Sequence, residues 1–254
     1  FLIKNYSFWN SRSLNWLKFN ADYLFVSYIN NNDLKNIKNN ISWDTYWGNI
    51  SSTIEKRKKI RWVYFATTPK KLIDKINLSK IIFSKNKKNS NEKHINIYDF
   101  LTLNLFFKTF VIWLKILFRV NKINNVENLF YDKKNKIDLS FFLKKNFNKS
   151  YYSLEMLNNI LIHLIFQEMS KKLKKQKKCF YLHEGAPWEY SLIKNFKKNK
   201  HGTLYGVGHS TISYWDLRFF KTIKRDKSFH TNYFNPDFFI ANGEDMRKKI
   251  LDFT

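Results

Sequence analysis

Apolar residues in this chain come in short continuous runs, separated by longer segments with helical spacing. "DYLFVSYI" (22–29) is an aromatic and aliphatic run ending in an Asn/Asp cluster, the pattern of a buried strand followed by a loop. "IRWVYFATTP" is a second such run, predicting a strand over 60–67 that Pro69 stops. Between them "WDTYWGNISSTIEKRKK" reads as a helix with Asp44 near its start. From Pro69 to about residue 95 the chain is rich in Lys, Asn and Ser, and a helix with an exposed connection is expected there.

Residues 98–120, "YDFLTLNLFFKTFVIWLKILFRV", are the most hydrophobic stretch. Its polar residues Asn104, Lys108, Lys115 and Arg119 fall on one stripe of a helix. Lys108 and Lys115 would sit deep in hydrocarbon if the segment crossed a bilayer, so a spanning helix is not expected. A helix packed into the core is the preferred reading; a helix lying on a membrane surface is the other. A long helix follows from Ser153, a residue suited to the N-cap, with Leu157, Ile160, Leu161, Leu164 and Ile165 at helical spacing.

The last hundred residues change rhythm. Strands are expected near 178–183, 203–207 and 238–241. Pro187 suits the first turn of a helix running from Trp188 to Lys198, closed by Gly202. Asn242-Gly243 leads into Glu244-Asp245, the acidic first turn a helix prefers. Strand, helix and strand in this order imply right-handed crossovers and parallel pairing. The expected fold is therefore α/β, a Rossmann-like, mainly parallel sheet with flanking helices. It occupies 1–242 with a helical insertion at about 95–150, and 243–254 begins a connection to a further domain.

Composition changes this picture in two ways. The 254 residues are 44% hydrophobic and 19% aromatic, enough for a folded core. The single cysteine, Cys179, excludes an internal disulfide framework and any multi-cysteine zinc site. The formal charge of +26 points toward nucleic acid, yet the basic residues are mostly scattered Lys rather than the bidentate Arg that grips phosphate. Lys, Asn, Ile, Phe and Tyr are residues of A/T-rich codons, so codon drift explains the charge without an anionic partner. The same drift makes the surviving Gly, Pro and His informative. Five of six glycines and two of three prolines fall between Gly185 and Gly243.

Those residues gather at the expected strand ends: His183-Glu184-Gly185, then Gly208-His209-Ser210, then Asn242-Gly243. Open α/β sheets bind ligands along that edge. Glu184, Glu189, His209 and Asp216 offer general acid–base groups. Ser210, Thr211 and Asn242 offer hydrogen bonds, and Arg218 a forked donor for an anion. Trp188, Tyr214 and Trp215 offer flat surfaces on which sugar rings stack. Against these stand plainer readings: Glu189 complementing a helix dipole, the tryptophans packing, His183 and His201 lying on the surface. No metal-ligand spacing, Walker loop or G-x-G-x-x-G loop is present, and no metal or cofactor is expected.

The segments "HEGAPWEYSLI", "HGTLYGVGHSTISYWDLRFF" and "PDFFIANG" together resemble a family of bacterial surface-carbohydrate biosynthesis proteins, associated with O-antigen and lipopolysaccharide assembly. These are similar to glycosyltransferases of the two-Rossmann-domain (GT-B) type. The resemblance implies an acceptor-side N-terminal domain, a nucleotide-sugar donor and a glycan or lipid-linked acceptor. It also implies a cytoplasmic location, peripheral at the inner face of the plasma membrane. His209 is the first choice for catalytic base and Glu184 the second, with Asp216 beside them. Glu189, Ser210, Thr211, Trp188, Trp215, Arg218 and Asn242 would contact substrate. The rival class is a non-enzymatic basic protein that binds RNA or an anionic membrane.

Overall fold

The computed structural model describes residues 11–30, 45–48, 50–55, 58–66, 72–86, 90–123, 131–132, 137–138, 140–208 and 235–252. In chain order these carry a helix through 11–18 (α1), β1 (Tyr23–Ile29), α2 (Ile50–Glu55), β2 (Ile60–Ala66), α3 (Leu72–Ser84) and β3 (Glu92–Asn96). There follow α4 (Leu103–Val120), the short strands β4 (Tyr131–Asp132) and β5 (Ile137–Asp138), α5 (Ser140–Tyr152) and α6 (Leu154–Lys172). The chain continues through β6 (Lys178–Leu182), α7 (Pro187–Lys198), β7 (Thr203–Val207), β8 (Phe238–Ile240) and α8 (Glu244–Asp252). It divides into two compact units, Phe1–Leu101 with Phe166–Thr254, and Thr102–Ile165.

The first unit is built on a six-stranded sheet of order β3-β2-β1-β6-β7-β8, parallel at every pairing. With the β4–β5 hairpin set aside, this is the order of doubly wound Rossmann-like sheets. The fold expected from alternating apolar runs and helices is the fold observed, and the five expected strands are β1, β2, β6, β7 and β8.

One row of rings explains why the strand runs are so aromatic. His94, Trp62, Phe25, Phe180, Tyr205 and Phe238 are register partners on successive strands, so one file of rings crosses all six. Neighbouring centroids lie 6.2, 4.5, 4.9, 4.8 and 5.4 Å apart, with interplanar angles of 30° or less. Each such cross-strand pair stabilises the sheet by roughly 0.2–1 kcal/mol beyond simple burial. Trp47, Leu78 and Ile82 pack over the β1–β2 part of this face. Trp188 and Phe166 pack on Phe65 from α7 and α6.

Two buried polar residues anchor the sheet to its surroundings. The Arg61 guanidinium, fully buried on β2, donates to the carbonyls of Trp16, Leu17 and Phe19 as the α1 chain ends. The Trp16 carbonyl also accepts from the Phe19 N–H at 3.3 Å as the last turn closes, and a cation there complements the dipole. Burial lowers the Arg61 pKa to about 10, and it remains a cation at neutral pH. On β3, buried His94 has Nε2 3.3 Å from Glu92 Oε2 and Nδ1 3.3 Å from the Tyr64 hydroxyl.

Strand β3 departs from the sequence expectation, which placed an exposed connection up to about residue 95. Its "EKHIN" carries only one aliphatic residue, and the other inward positions hold polar side chains with dedicated partners. An edge strand can be stabilised in this way without an apolar run. Gly202 also departs from expectation. Helix α7 is capped by Asn199, and Lys200 takes the left-handed conformation at φ 53°. Gly202 is needed for space instead, because a Cβ there would lie 2.0 Å from the Lys177 carbonyl oxygen.

In the second unit, Ser153 separates α5 from α6, and its hydroxyl accepts from the Met156 N–H at 3.4 Å, as its N-cap reading required. The Trp113 indole of α4 donates to the Tyr151 carbonyl at 3.0 Å, joining α4 to α5. Among the described residues no helix is long and apolar enough to cross a membrane.

Candidate functional site

In a sheet of this order, the crossovers leaving β1 and β6 diverge, and the crevice at their carboxyl ends is where such folds place ligands. Two short segments meet there: the end of β1, carrying Tyr28, and the turn His183–Ala186 after β6. Gly185 makes the turn possible, at φ 73° in the left-handed region that favours glycine. Pro187 then opens α7 as its first residue.

Glu189 organises this turn. It is 1% exposed and sits in the first turn of α7. Its Oε1 accepts the Glu184 N–H at 2.8 Å and the Ala186 N–H at 2.9 Å. Its Oε2 lies 2.9 Å from His183 Nδ1. Only the tautomer with its proton on Nδ1 offers that buried carboxylate oxygen a donor, although the contact lacks the alignment of a hydrogen bond. In that tautomer the basic lone pair is on Nε2. The Tyr181 hydroxyl lies 3.2 Å from the same Nδ1, and burial raises its pKa far above the ordinary phenol value, so it stays neutral. Gly206 leaves room for this hydroxyl, since a Cβ there would come within 3.0 Å of it.

Beside this pair runs a second chain of polar contacts. The Trp188 indole donates to the Tyr28 hydroxyl at 2.8 Å, and that hydroxyl hydrogen-bonds the Glu184 side chain. Burial raises the Tyr28 pKa well above 10, with the negative charges of Glu184 and Glu189 adding to it. A neutral phenol is thus held between an indole donor and a carboxylate acceptor.

The structure thus brings Glu184 and Glu189 together at one rim, as their positions in the sequence suggested. It adds Tyr28, which sequence reasoning passed over, and it gives His183, expected at this strand end without an assigned role, a partner. Against the plainer reading of a surface residue, the His183 side chain is only 16% exposed and faces Glu189. His201, read the same way, is structural: its Nε2 is 2.8 Å from the Ser170 carbonyl and its ring stacks on Phe196.

Trp188 is corrected. At 7% exposure, wedged against Phe65, Tyr28 and Tyr181, its faces are occupied by the core and cannot stack on a sugar. Asn242 is exposed after β8, two strands from β6 and therefore about 10 Å along the edge. Gly208 makes room for Met246, whose Cε would lie 2.1 Å from an added Cβ. Gly202, Gly206 and Gly208 therefore serve packing. His209, Ser210, Thr211, Tyr214, Trp215, Asp216 and Arg218 lie outside the described residues.

The chain matches no known protein family, no curated protein and no solved structure.

Proposed function

We propose that this chain is the acceptor-side domain of a glycosyltransferase of cell-surface polysaccharide synthesis. It would move a sugar from a nucleotide-sugar donor to a hydroxyl of a glycan or lipid-linked acceptor. The observation that carries the reading is the His183–Glu189 pair at the carboxyl edge of a Rossmann-like sheet. Transfer to a hydroxyl needs a base. The acceptor oxygen loses its proton as it bonds to the anomeric carbon, while the bond from that carbon to the nucleotide phosphate oxygen breaks. The electron pair of that bond leaves with the nucleotide. A histidine whose Nδ1 faces a buried carboxylate is suited to take the proton at Nε2 and to be stabilised as the imidazolium.

This moves the base from His209 to His183 and leaves Glu184, next to the Tyr28 hydroxyl, as a candidate for orienting the acceptor. The reading gives donor binding to a second domain, so the test uses the full-length protein and a panel of nucleotide sugars. His183→Ala should lower turnover by about 10²–10⁴-fold with little change in donor affinity. Unchanged turnover in His183→Ala would remove the base assignment. Absence of transfer from every donor, with RNA held at physiological salt, would replace the enzyme with a nucleic-acid binder.

A further inference from the structure

The helix α4 presents two apolar faces, and only one of them is turned inward. Leu105, Thr109 and Val120 are buried, with Ile112, Trp113 and Ile116 half-buried on the same side. On the opposite side Leu103, Phe106, Phe107, Phe110, Val111 and Phe118 form a continuous exposed stripe at helical spacing. Phe107 is 64% and Phe118 68% exposed. The exposed stripe departs from the expectation of a helix that packs its apolar residues into the core and leaves only the polar stripe outside. Isolated exposed apolar residues are ordinary, but a contiguous, largely aromatic stripe along about four turns is not.

The charges around the stripe identify its occupant. Asn104, Lys108, Lys115 and Arg119 line one border of it, and the helix contains no acidic residue. Lys144, Lys145 and Lys149 are exposed on α5, which is also free of acidic residues. Over residues 102–165 there are ten Lys and Arg against four Asp and Glu. A second copy docked antiparallel on this stripe by two-fold symmetry would set one cationic border against another. Lysines halfway along the helix exclude a spanning orientation.

We infer that α4 docks in the plane of an anionic bilayer surface, with its phenylalanines among the acyl chains and Lys108, Lys115 and Arg119 at the phospholipid headgroups. The inference stands on the second unit alone and is independent of the chemistry assigned to His183.

The test is flotation of the full chain with vesicles of phosphatidylcholine, with and without phosphatidylglycerol. Binding is expected only where phosphatidylglycerol is present. The exposed double variant Phe107→Ser/Phe118→Ser leaves the buried side of the helix intact and should lower partitioning at least about tenfold, since each ring buries much of its area. Lys108→Gln and Lys115→Gln should each lower it about fivefold and flatten the salt dependence. Failure of the wild-type chain to float with anionic vesicles would overturn the inference, as would undiminished binding by the phenylalanine variant. It would also fall if sedimentation showed a wild-type dimer that this variant converts to monomer, because the stripe would then belong to a second copy.

Discussion

The Nε1 of Trp188 lies 2.8 Å from the hydroxyl of Tyr28, so a residue opening α7 is fastened to one closing β1. The contact ties β1 to the helix that follows β6, where the sheet changes winding direction. Tyr28→Phe removes the acceptor of a buried indole N–H and the donor to Glu184 together. Urea unfolding should show a loss of about 1–3 kcal/mol, with the dependence on denaturant unchanged.

Glu189→Gln separates the two tasks of that side chain. The amide keeps one oxygen for the N–H groups of Glu184 and Ala186, but it presents an NH₂ group to His183 Nδ1. The imidazole should therefore switch its proton to Nε2. Nitrogen chemical shifts of the ring read this directly, and no change of tautomer would contradict the pairing described above. Turnover should fall although the fold persists.

Gly202 and Gly243 test two different reasons for glycine. An alanine at Gly202 drives Cβ into the Lys177 carbonyl, between strands that cannot separate, and should cost more than about 3 kcal/mol. Gly243 has φ 97° and nothing within 4 Å, so alanine there meets only dihedral strain of roughly 1–3 kcal/mol. Thermal melts should rank Gly202→Ala well below Gly243→Ala.

Two buried groups act on stability with opposite sign in the acid range. Burial lowers the His94 pKa below 6.5 despite the adjacent Glu92. The unfolded chain then binds the proton first, and stability is lost as pH falls from about 6.5 toward the folded value. Burial raises Asp99 to about 6 from 3.8, outweighing its partner Arg12 at 3.6 Å. Here the folded state holds the proton longer, so stability is lost as pH rises from about 4 to 6. His94→Phe should remove the first slope and leave the second; Asp99→Asn should do the reverse. Unfolding midpoints across this range check both.

Arg61→Met should destabilise by about 2–4 kcal/mol, because three carbonyls at the end of α1 lose a charged donor. Arg61→Lys should recover only part of this, having one point charge in place of a planar fork. Equilibrium unfolding of the two variants separates charge from geometry.

The sheet was legible in the sequence because its central strands are buried on both faces and therefore read as unbroken apolar runs. Strand β3 was not, since an edge strand can hold His94 and Asn96 with particular partners rather than with apolar contacts. The site was half legible. Glu184 and Glu189 stood out by their place after a strand and before a helix. The pairing of His183 with Glu189 depends on the reversal at Gly185, which the spacing of the two residues does not reveal. Tyr28 was hidden among other aromatics in its own strand, and its partner Trp188 lies far away in sequence. A tyrosine that packs and a tyrosine that also binds through its hydroxyl look alike in one dimension.

The pairing of Val26 with Tyr181 has a consequence during synthesis. About 150 residues separate β1 from β6, so at roughly 5–20 residues per second β1 waits on the order of 10–30 s for its neighbour to leave the ribosome. Once Asn96 has emerged, β1–β3 can pair as a three-stranded half-sheet whose open edge runs along Leu24, Phe25 and Val26. Such an edge is a template for pairing with any other nascent chain. Chains released before residue 178 should accumulate as aggregates, and holdase chaperones should cross-link to β1 until β6 emerges.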